Sequence, residues 1–351
     1  MIDRVNPEMI VLARESRGYT QSEMAKRTGL PQSSLSKYES GLSDIPPEEL
    51  KKIADLLEYP LAFFYQRDTL HDASCLFHRK RQSLSVRELK RIHAQVNILR
   101  IHATRLLADA EIESVNQFHR LDMVQLGGPE IVAQRLRHLW NLPLGPIRGV
   151  VGAIENAGGI VFRCPFSTKK VDAISQWPLD LSGLPPVFFV NDDIPGDRMR
   201  WTLAHEIGHI VMHHLPTDDP EREADRFASE FLMPAREIAS ELSPFSLQKA
   251  AALKPFWKVS MAALIRRARD LKVIAERRYN YLNVQMGMLG YRKCEPVPLP
   301  AEEPEMLREI ISFHRRTEAR SVEDLSRMLS IHEKQFREQY WQDLSGMRLV
   351  I

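Results

Sequence analysis

The segment WTLAHEIGHIVMHH, Trp201–His214, places two histidines four residues apart, with a glutamate between them, on a strongly apolar helix. Residues i and i+4 of an α-helix share a face about one turn apart, so His205 and His209 can direct their imidazoles at one centre. A zinc ion would accept both rings at roughly 2.0–2.1 Å. Glu206 is displaced around the helix and reaches beside the metal, where it can accept a proton from an attacking water. The pattern therefore predicts a hydrolytic metal site.

A catalytic zinc site needs a third protein ligand and leaves its fourth position open for water. His213 shares the helix face but lies about 12 Å along the axis from His205, at 1.5 Å per residue, which is too far for a shared ion. We therefore interpret His213 and His214 as rim or surface residues. The longer HExxHxxGxxH spacing also fails, because its third histidine would fall at Leu215.

The third ligand is expected on the following helix, which begins with the acidic sequence EREAD. Glu221 and Asp225 lie four residues apart and share a face of that helix. The usual organisation of zinc sites then fits Glu221 as the ligand and Asp225 as a hydrogen-bond partner of a ligand histidine. Glu223 points elsewhere in this register, but a register error would exchange the roles of Glu221 and Glu223.

Sequence patterns on both sides of the motif predict further elements. VVGAIENAGGIVFRCPF reads as a helix, a glycine turn and a strand, and VDAISQW and PPVFFVND read as two more strands. Asp197 follows a Pro-Gly pair and is expected to cap the motif helix. Pro234 is expected to end the acidic helix that follows.

These elements together resemble the ImmA/IrrE family of metallopeptidases. The resemblance rests on PPVFFVNDDIPGDRMRWTLAHEIGHIVMHH followed by EREADRFASEFLMP, covers residues 150–235 closely, and extends loosely through WKVSMAALIRRARDLKVI. It implies Zn²⁺ bound by His205, His209 and Glu221, with Glu206 as the general base of peptide hydrolysis. The family pattern further implies a substrate extended along the edge strand VDAISQW, and a separate Xre-type repressor as the protein that is cleaved.

A second motif lies near the N-terminus, where YTQSEMAKRTGLPQSSLSKYESG has the spacing of a helix-turn-helix. Thr20 is expected to cap a helix whose Met24 and Ala25 face inward. Gly29 is expected to supply the turn, and Leu35 to pack the second helix against the first. The sequence thus predicts a compact helical head ahead of the metal motif.

This motif resembles the lambda-repressor-like (Xre) DNA-binding domains over about residues 8–66. The resemblance implies a recognition helix at about residues 32–40, whose first residues reach base edges in the major groove. Gln21, at the start of the preceding helix, and Lys37 are candidates for phosphate contacts. The candidate DNA-binding residues are Gln21, Gln32, Ser33, Ser36 and Lys37. The alternative is a helix-turn-helix fold that serves only protein contact.

The net charge of the chain does not indicate a nucleic-acid partner. The net charge of the 351 residues is +2, and residues 1–68 carry nine Lys or Arg against eleven Asp or Glu, a formal charge of −2. Affinity for a single DNA site should then be modest because phosphate neutralisation contributes little. A homodimer that reads two half-sites of an operator suits such a head.

The sequence also indicates the compartment. No run approaches the roughly 18 apolar residues of a membrane span, and the charged first residues lack a signal-peptide apolar region. Cys75, Cys164 and Cys294 are distant from one another and odd in number, which argues against a disulfide framework. We expect a cytoplasmic protein with no membrane partner.

We predict a mainly α-helical chain with a small α+β zincin-like peptidase core. The predicted domains are a helix-turn-helix DNA-binding domain at 1–68, a helical linker at 69–145, a zinc metallopeptidase domain at 146–290 and a helical C-terminal region at 291–351. A long amphipathic helix within the linker is expected to act as a connector or dimerisation element. SMAALIRRARDLKVI and SVEDLSRMLSIHEKQFREQY are expected to pack against the peptidase or form a winged-helix-like cap.

The predicted function is that of a DNA-binding transcriptional regulator with zinc-dependent metalloendopeptidase activity, which cleaves a repressor or another partner protein. The alternative is a non-catalytic transcription factor or antitoxin-like binder that uses the peptidase fold as a sensor. An intact Glu206 favours catalysis, because a structural zinc site needs no general base and closes its fourth position.

Overall fold

The computed structural model describes residues 4–70, 84–110, 114–166, 168–177, 184–214 and 216–341. The described residues form two compact units, one within Met1–Ile112 and Leu307–Ile351, and one within Glu113–Met306. Most of them are helical, and three strands form one small sheet, so the predicted mainly α fold with a small α+β core is confirmed. Among the helices that the structure describes, none has the length and apolar character that a membrane crossing requires.

The first unit begins with a bundle of short helices. Their bounds are α1 (Pro7–Ser16), α2 (Gln21–Thr28), α3 (Gln32–Glu39), α4 (Pro47–Leu57), a 3₁₀ helix (Leu61–Tyr65) and α5 (Val86–Leu107). The side chain of Thr20 accepts a hydrogen bond from the Glu23 backbone N–H and thereby caps α2, as predicted. Gly29 ends α2 with φ +73°, a left-handed conformation that glycine adopts without strain. Met24 and Ala25 are buried, which confirms the predicted inward face of α2.

The long amphipathic helix α5 is present as predicted and belongs to the first unit. Its Ala94, Ile98 and Ile101 are buried in the same apolar core as the helix-turn-helix residues, and α5 packs along α1. The apolar stripe of α5 is therefore used within the first unit. The role of α5 as a connector or dimerisation element stays a prediction; the structure shows that these apolar residues contribute to the core of the first unit.

The second unit contains the sheet and most of the remaining helices. The elements before the second motif helix are α6 (Met123–Leu126), α7 (Pro129–Leu139), α8 (Val150–Asn156), β1 (Ile160–Cys164), β2 (Ala173–Gln176) and β3 (Val187–Asn191). They are followed by α9 (Gly196–Met212), α10 (Pro220–Leu232), α11 (Ala235–Ile238), α12 (Leu247–Trp257), α13 (Met261–Asp270) and α14 (Glu276–Met288). The predicted helix, glycine turn and three strands are all present, and α10 ends before Pro234 as expected.

The sheet has the strand order β1-β3-β2, with β1 parallel and β2 antiparallel to the central strand β3. Phe188 and Phe189 of β3 are fully buried, because the central strand is covered on both faces. β2 lies at the edge of the sheet. The helix α9 packs against β2, β3 and α10, which places the metal motif beside this edge strand.

The start of α9 is held by contacts that the sequence does not reveal. Pro195 is the N-cap of α9, so the predicted cap at Asp197 is wrong. Asp197 lies within the first turn, where its carboxylate accepts a hydrogen bond of 2.7 Å from the buried ammonium of Lys254. A side chain at Gly196 would place its Cβ 2.0 Å from the carbonyl oxygen of Pro300. The close approach of these two backbone segments therefore requires glycine.

The last described elements are α15 (Met306–Arg316), α16 (Val322–Leu329), α17 (Glu333–Phe336) and a π-helical turn (Arg337–Trp341). SVEDLSRMLSIHEKQFREQY belongs to the first unit rather than packing with the peptidase core as expected. Its Tyr340 hydroxyl lies 2.7 Å from His102 Nδ1 of α5, and Arg105 of α5 donates to the Met328 carbonyl. These polar contacts with α5 explain why the C-terminal helices belong to the first unit.

The other segment with a helix-turn-helix rhythm, SMAALIRRARDLKVI, packs as expected. Met261, Leu264 and Ile265 of α13 are fully buried in the apolar core of the second unit. Cys164 is buried and Cys294 is exposed, both as free thiols, and Cys75 lies outside the described residues.

Candidate metal centre and nucleic-acid interface

Two histidines of α9 and one glutamate of α10 converge on a single point. One donor atom from each of His205, His209 and Glu221 lies within 4.8 Å of the others. The two Nε2 atoms are 3.0 Å apart, and the Glu221 oxygens lie 3.7 Å from His205 Nε2 and 3.5 Å from His209 Nε2. Two donors bound to one tetrahedral zinc ion would be roughly 3.3 Å apart. The three residues therefore fit one divalent cation without rearrangement of their helices.

Close packing of α9 on α10 brings the third donor within reach. A Cβ at Gly208, between the two histidines, would lie 3.0–3.3 Å from three side-chain atoms of Phe227 on α10. This is tighter than ordinary van der Waals contact, so the absence of a side chain at Gly208 lets the two helices approach. That approach positions Glu221 opposite the histidine pair.

His205 is oriented by a carboxylate of α10. Its Nδ1 lies 3.1 Å from Asp225 Oδ1, and Asp225 Oδ2 accepts a hydrogen bond of 3.1 Å from Arg266. Burial raises the pKa of Asp225, but its hydrogen bond with His205 and the charge and hydrogen bond of Arg266 outweigh burial and lower the pKa overall. A carboxylate at this position accepts a hydrogen bond from the Nδ1–H group and leaves the Nε2 lone pair directed at the candidate centre. Asp225 thus lies where the predicted partner of a ligand histidine was expected.

His209 is oriented by a longer chain of contacts. Its Nδ1 lies 2.8 Å from Nδ1 of His213, whose Nε2 lies 3.0 Å from Glu223 Oε2. The same oxygen of Glu223 accepts a hydrogen bond of 2.7 Å from the Thr217 hydroxyl. Glu223 therefore contacts His213, and it is not among the donor atoms that converge in the described part of the chain, whereas Glu221 is.

The expectation that His213 is a rim or surface residue is wrong. Its side chain is only 9 % exposed. Burial, reinforced by the neighbouring His209 and His205, lowers the pKa of His213 to about 3. His213 was placed at the rim because its distance along α9 excludes it as a ligand, yet the imidazole still reaches back to the ligand one turn earlier. His214 is half-buried.

Glu206 connects the motif helix to the edge strand. Its side chain is buried, and its Oε2 accepts a hydrogen bond of 2.7 Å from the hydroxyl of Ser175 on β2. Ser175 is itself fully buried. Glu206 is absent from the set of converging donors, which is the arrangement that a general base beside a metal requires.

The helix-turn-helix presents its predicted contact residues on one surface. Gln32, Ser33, Ser36 and Lys37 are exposed on α3, and Gln21 is half-buried at the start of α2. The amide of Gln32 donates to the Gln21 side-chain oxygen at 2.9 Å, and the Gln21 amide donates to Glu39 at 2.7 Å. Glu39 in turn forms a bidentate ion pair with Arg14 of α1. The two glutamines are therefore held in fixed positions by the core of the head.

Comparison with known families agrees with both descriptions. Residues 154–269 match the family model of the IrrE N-terminal-like domain, an M78 peptidase family, and residues 10–64 match a helix-turn-helix family. Two separate segments of the chain are therefore similar to a helix-turn-helix domain and to an IrrE N-terminal-like domain. No curated protein shows significant similarity to the chain.

The matched ranges contain the candidate sites. The IrrE N-terminal-like domain includes the three converging donors and their partners from Ser175 to Arg266, and it indicates a metallopeptidase-like fold. The helix-turn-helix domain includes the five candidate DNA-binding residues and indicates DNA binding.

Sequence reasoning missed three residues around the metal centre: Ser175, His213 as a partner of His209, and Arg266. Ser175 sits in a strand signal, VDAISQW, where a small polar residue carries no functional mark. Arg266 is one of several arginines on α13. The HxxxH spacing of His209 and His213 was a usable signal, because it repeats the i, i+4 relation of the ligand pair.

Proposed function

We propose that the protein is a cytoplasmic, DNA-bound transcriptional regulator whose IrrE N-terminal-like domain is a zinc-dependent metalloendopeptidase. The single observation that carries the proposal is the convergence of His205, His209 and Glu221 with a buried Glu206 beside them. Two imidazoles and one carboxylate are a donor set that zinc prefers at catalytic sites, where three protein ligands leave one position open.

Zinc held by these three residues would polarise the scissile carbonyl and make water nucleophilic near neutral pH. Glu206 would accept the proton of the attacking water and deliver it to the leaving amine. Ser175 would hold the Glu206 carboxylate in place while this transfer occurs. Asp225 and Arg266 would keep His205 in the tautomer whose Nε2 faces the centre.

The substrate is proposed to be a protein segment that binds in an extended conformation. β2 lies at the edge of the sheet and carries Ser175, which contacts Glu206. An extended peptide that adds to such an edge gains main-chain hydrogen bonds and runs past the general base. A repressor or another partner protein with a flexible segment fits this requirement.

The helix-turn-helix is proposed to read an operator in double-stranded DNA. Gln32 and Ser33, at the start of α3, would contact base edges, with Ser36 and Lys37 beside them. Gln21 would contact a phosphate while it supports Gln32. A homodimer would contact two half-sites, which compensates for the formal charge of −2 on residues 1–68.

The catalytic proposal is tested by co-expressing the full chain with repressors encoded beside its gene and identifying fragments by mass spectrometry. Glu206→Gln should lower cleavage by roughly 10²–10⁴-fold while zinc stoichiometry stays at the wild-type value. Glu318→Gln, an exposed glutamate, is the matched control and should cleave normally.

Cleavage that survives Glu206→Gln would refute the assignment of the base. Zinc binding without cleavage by the wild-type chain would instead support a non-catalytic regulator that uses the peptidase fold as a sensor. That reading gains further support if Glu206→Gln leaves regulation in cells unchanged.

A further inference from the structure

We propose that His213 and Glu223 are positioning residues that fix the tautomer of His209, so that its Nε2 presents a lone pair to the metal. The inference rests on the proposed zinc site and deepens it. It assigns a function to His213, which lies on the same helix as the two ligand histidines but too far along it to bind the ion. It also assigns a function to Glu223, which is not a ligand.

The hydrogen-bond distances allow only one arrangement of protons that is compatible with metal binding. Glu223 accepts a hydrogen bond from the Thr217 hydroxyl at 2.7 Å, and as a carboxylate it can only accept from Nε2 of His213 at 3.0 Å. A neutral His213 with its proton on Nε2 has a lone pair on Nδ1. His209 must then donate from Nδ1 across the 2.8 Å contact, which frees its Nε2 for the metal.

The opposite arrangement would prevent binding. If His213 donated from Nδ1, the Nδ1 of His209 would have to accept. The proton of a neutral His209 would then lie on Nε2, the atom that faces His205 Nε2 and Glu221. A protonated Nε2 cannot be a ligand, so reversing this contact abolishes one of the three metal bonds.

The same contacts exclude His213 as a ligand. Its two ring nitrogens are both engaged, Nδ1 with His209 and Nε2 with Glu223. The side chain is only 9 % exposed, and the contacts of both nitrogens hold the ring against its neighbours. His213 therefore acts on the metal only through His209.

Both ligand histidines are thereby tied to carboxylates of α10. His205 is hydrogen-bonded directly to Asp225. His209 is hydrogen-bonded to His213, which is hydrogen-bonded to Glu223. Glu221, the third donor, begins the same helix. The three acidic residues of EREAD therefore have three distinct tasks, and a shift of α10 would disturb all three metal bonds together.

The test measures zinc affinity of the full chain by competition with a chromogenic chelator. His213→Phe keeps an aromatic ring but removes the acceptor, and Glu223→Ala removes the carboxylate that sets the proton direction. Each should weaken zinc binding about 10–100-fold. His213→Asn, whose amide oxygen can accept from His209, should recover part of the loss. His214→Phe and Asp218→Ala remove a neighbouring imidazole and an exposed carboxylate, and both should bind zinc like the wild type.

Two spectroscopic measurements separate positioning from ligation. The absorption of the cobalt-substituted chain should be the same in wild type and His213→Phe, because the ligand set does not change. Histidine ¹⁵N NMR of the zinc-loaded chain should show His209 protonated on Nδ1 and His213 protonated on Nε2. Unchanged zinc affinity in both variants, a lost ligand in the cobalt spectrum, or a proton on Nδ1 of His213 would each overturn the inference.

Failure of this inference can be distinguished from failure of the proposed function. A wild-type chain that binds no zinc would contradict the zinc peptidase itself. A wild-type chain that binds zinc tightly, together with His213→Phe and Glu223→Ala variants that bind equally tightly, would contradict only the roles of His213 and Glu223.

Discussion

At the scale of single residues, the proposed peptidase site depends on how its buried polar groups are hydrogen-bonded. Glu206 is 5 % exposed, and the fully buried hydroxyl of Ser175 donates to one of its oxygens. A hydrogen bond to a charged group contributes about 1.5–3 kcal/mol, and it also fixes the direction of the carboxylate. The alignment of the proposed base therefore depends on a residue of the edge strand.

We predict that Ser175→Ala lowers kcat about 10-fold while zinc affinity stays unchanged, because Ser175 contacts the base and none of the metal donors. The readouts are cleavage of the identified substrate and chelator competition on the same preparation. A loss of zinc affinity equal to the loss of kcat would show that Ser175 instead supports the metal site.

A second buried group makes a prediction about pH. Burial, assisted by the positive charge of Arg105, lowers the pKa of His102 from 6.5 to about 3. Below about pH 6.5 the imidazole of His102 is protonated in the unfolded chain, whereas in the folded chain it stays neutral down to about pH 3. The contribution of His102 to stability is therefore fully present above about pH 6.5 and is lost as the pH falls towards about 3, by at most about 1.4 kcal/mol per pH unit.

The measurement is urea unfolding of wild type and His102→Gln between pH 7.5 and 5. The variant should lose less stability over this interval, whatever its stability at pH 7.5. Identical slopes for the two chains would contradict the prediction.

At the scale of elements, the metal centre is a property of the α9–α10 pair. Gly208 permits the close packing that brings Glu221 to the histidines, and a Cβ there would come within 3.0 Å of Phe227. Helix propensity alone would favour alanine over glycine by about 1 kcal/mol. Gly208 therefore makes α9 locally less stable than alanine would, but it allows α9 and α10 to pack closely.

We predict that Gly208→Val separates α9 from α10 and weakens zinc binding at least about 10-fold, because Glu221 moves with α10. Gly152→Ala in α8 is the matched control, since no atom lies within 4 Å of a Cβ at that position. The control should bind zinc normally and be stabilised by up to about 1 kcal/mol. Chelator competition and urea unfolding measure the two effects, and normal zinc binding by Gly208→Val would refute the role given to this contact.

At the scale of the whole molecule, two sites with different chemistry lie in different compact units. The helix-turn-helix needs no metal for its fold, because its core is formed by apolar residues of the first unit. The proposed peptidase activity needs the metal directly. The two activities should therefore respond independently to separate changes.

We predict that a chelator abolishes cleavage but leaves the affinity for operator DNA unchanged. Gln32→Ala should weaken DNA binding but leave cleavage unchanged. Removing a bidentate base contact should cost about 1–3 kcal/mol of DNA binding. The operator is first obtained by selection from random DNA with the full chain, and binding is then measured at one fixed salt concentration. Loss of DNA binding on chelation would show that the two sites are coupled.

The sequence predicted those features that follow from local rules. Thr20, Gly29 and the i, i+4 histidines are short-range signals, and each appears in the structure as expected. Features that depend on distant contacts were not predictable. Asp197 pairs with Lys254 instead of capping α9, and the C-terminal helices join α5, because these partners are 57 and more than 200 residues away.

The edge position of β2 has a consequence for selectivity. A peptide that pairs with a strand edge is recognised largely through its main chain, which nearly every protein possesses. If the proposed peptidase binds its substrate in this way, weak side-chain discrimination would make its unrestrained activity hazardous inside a cell. Fusion to the helix-turn-helix domain would offer a remedy, because a target bound at the same operator would experience a high effective concentration of the proposed peptidase. The DNA site at which a protein is bound, more than the sequence of its cleavage site, would then decide whether it is cut.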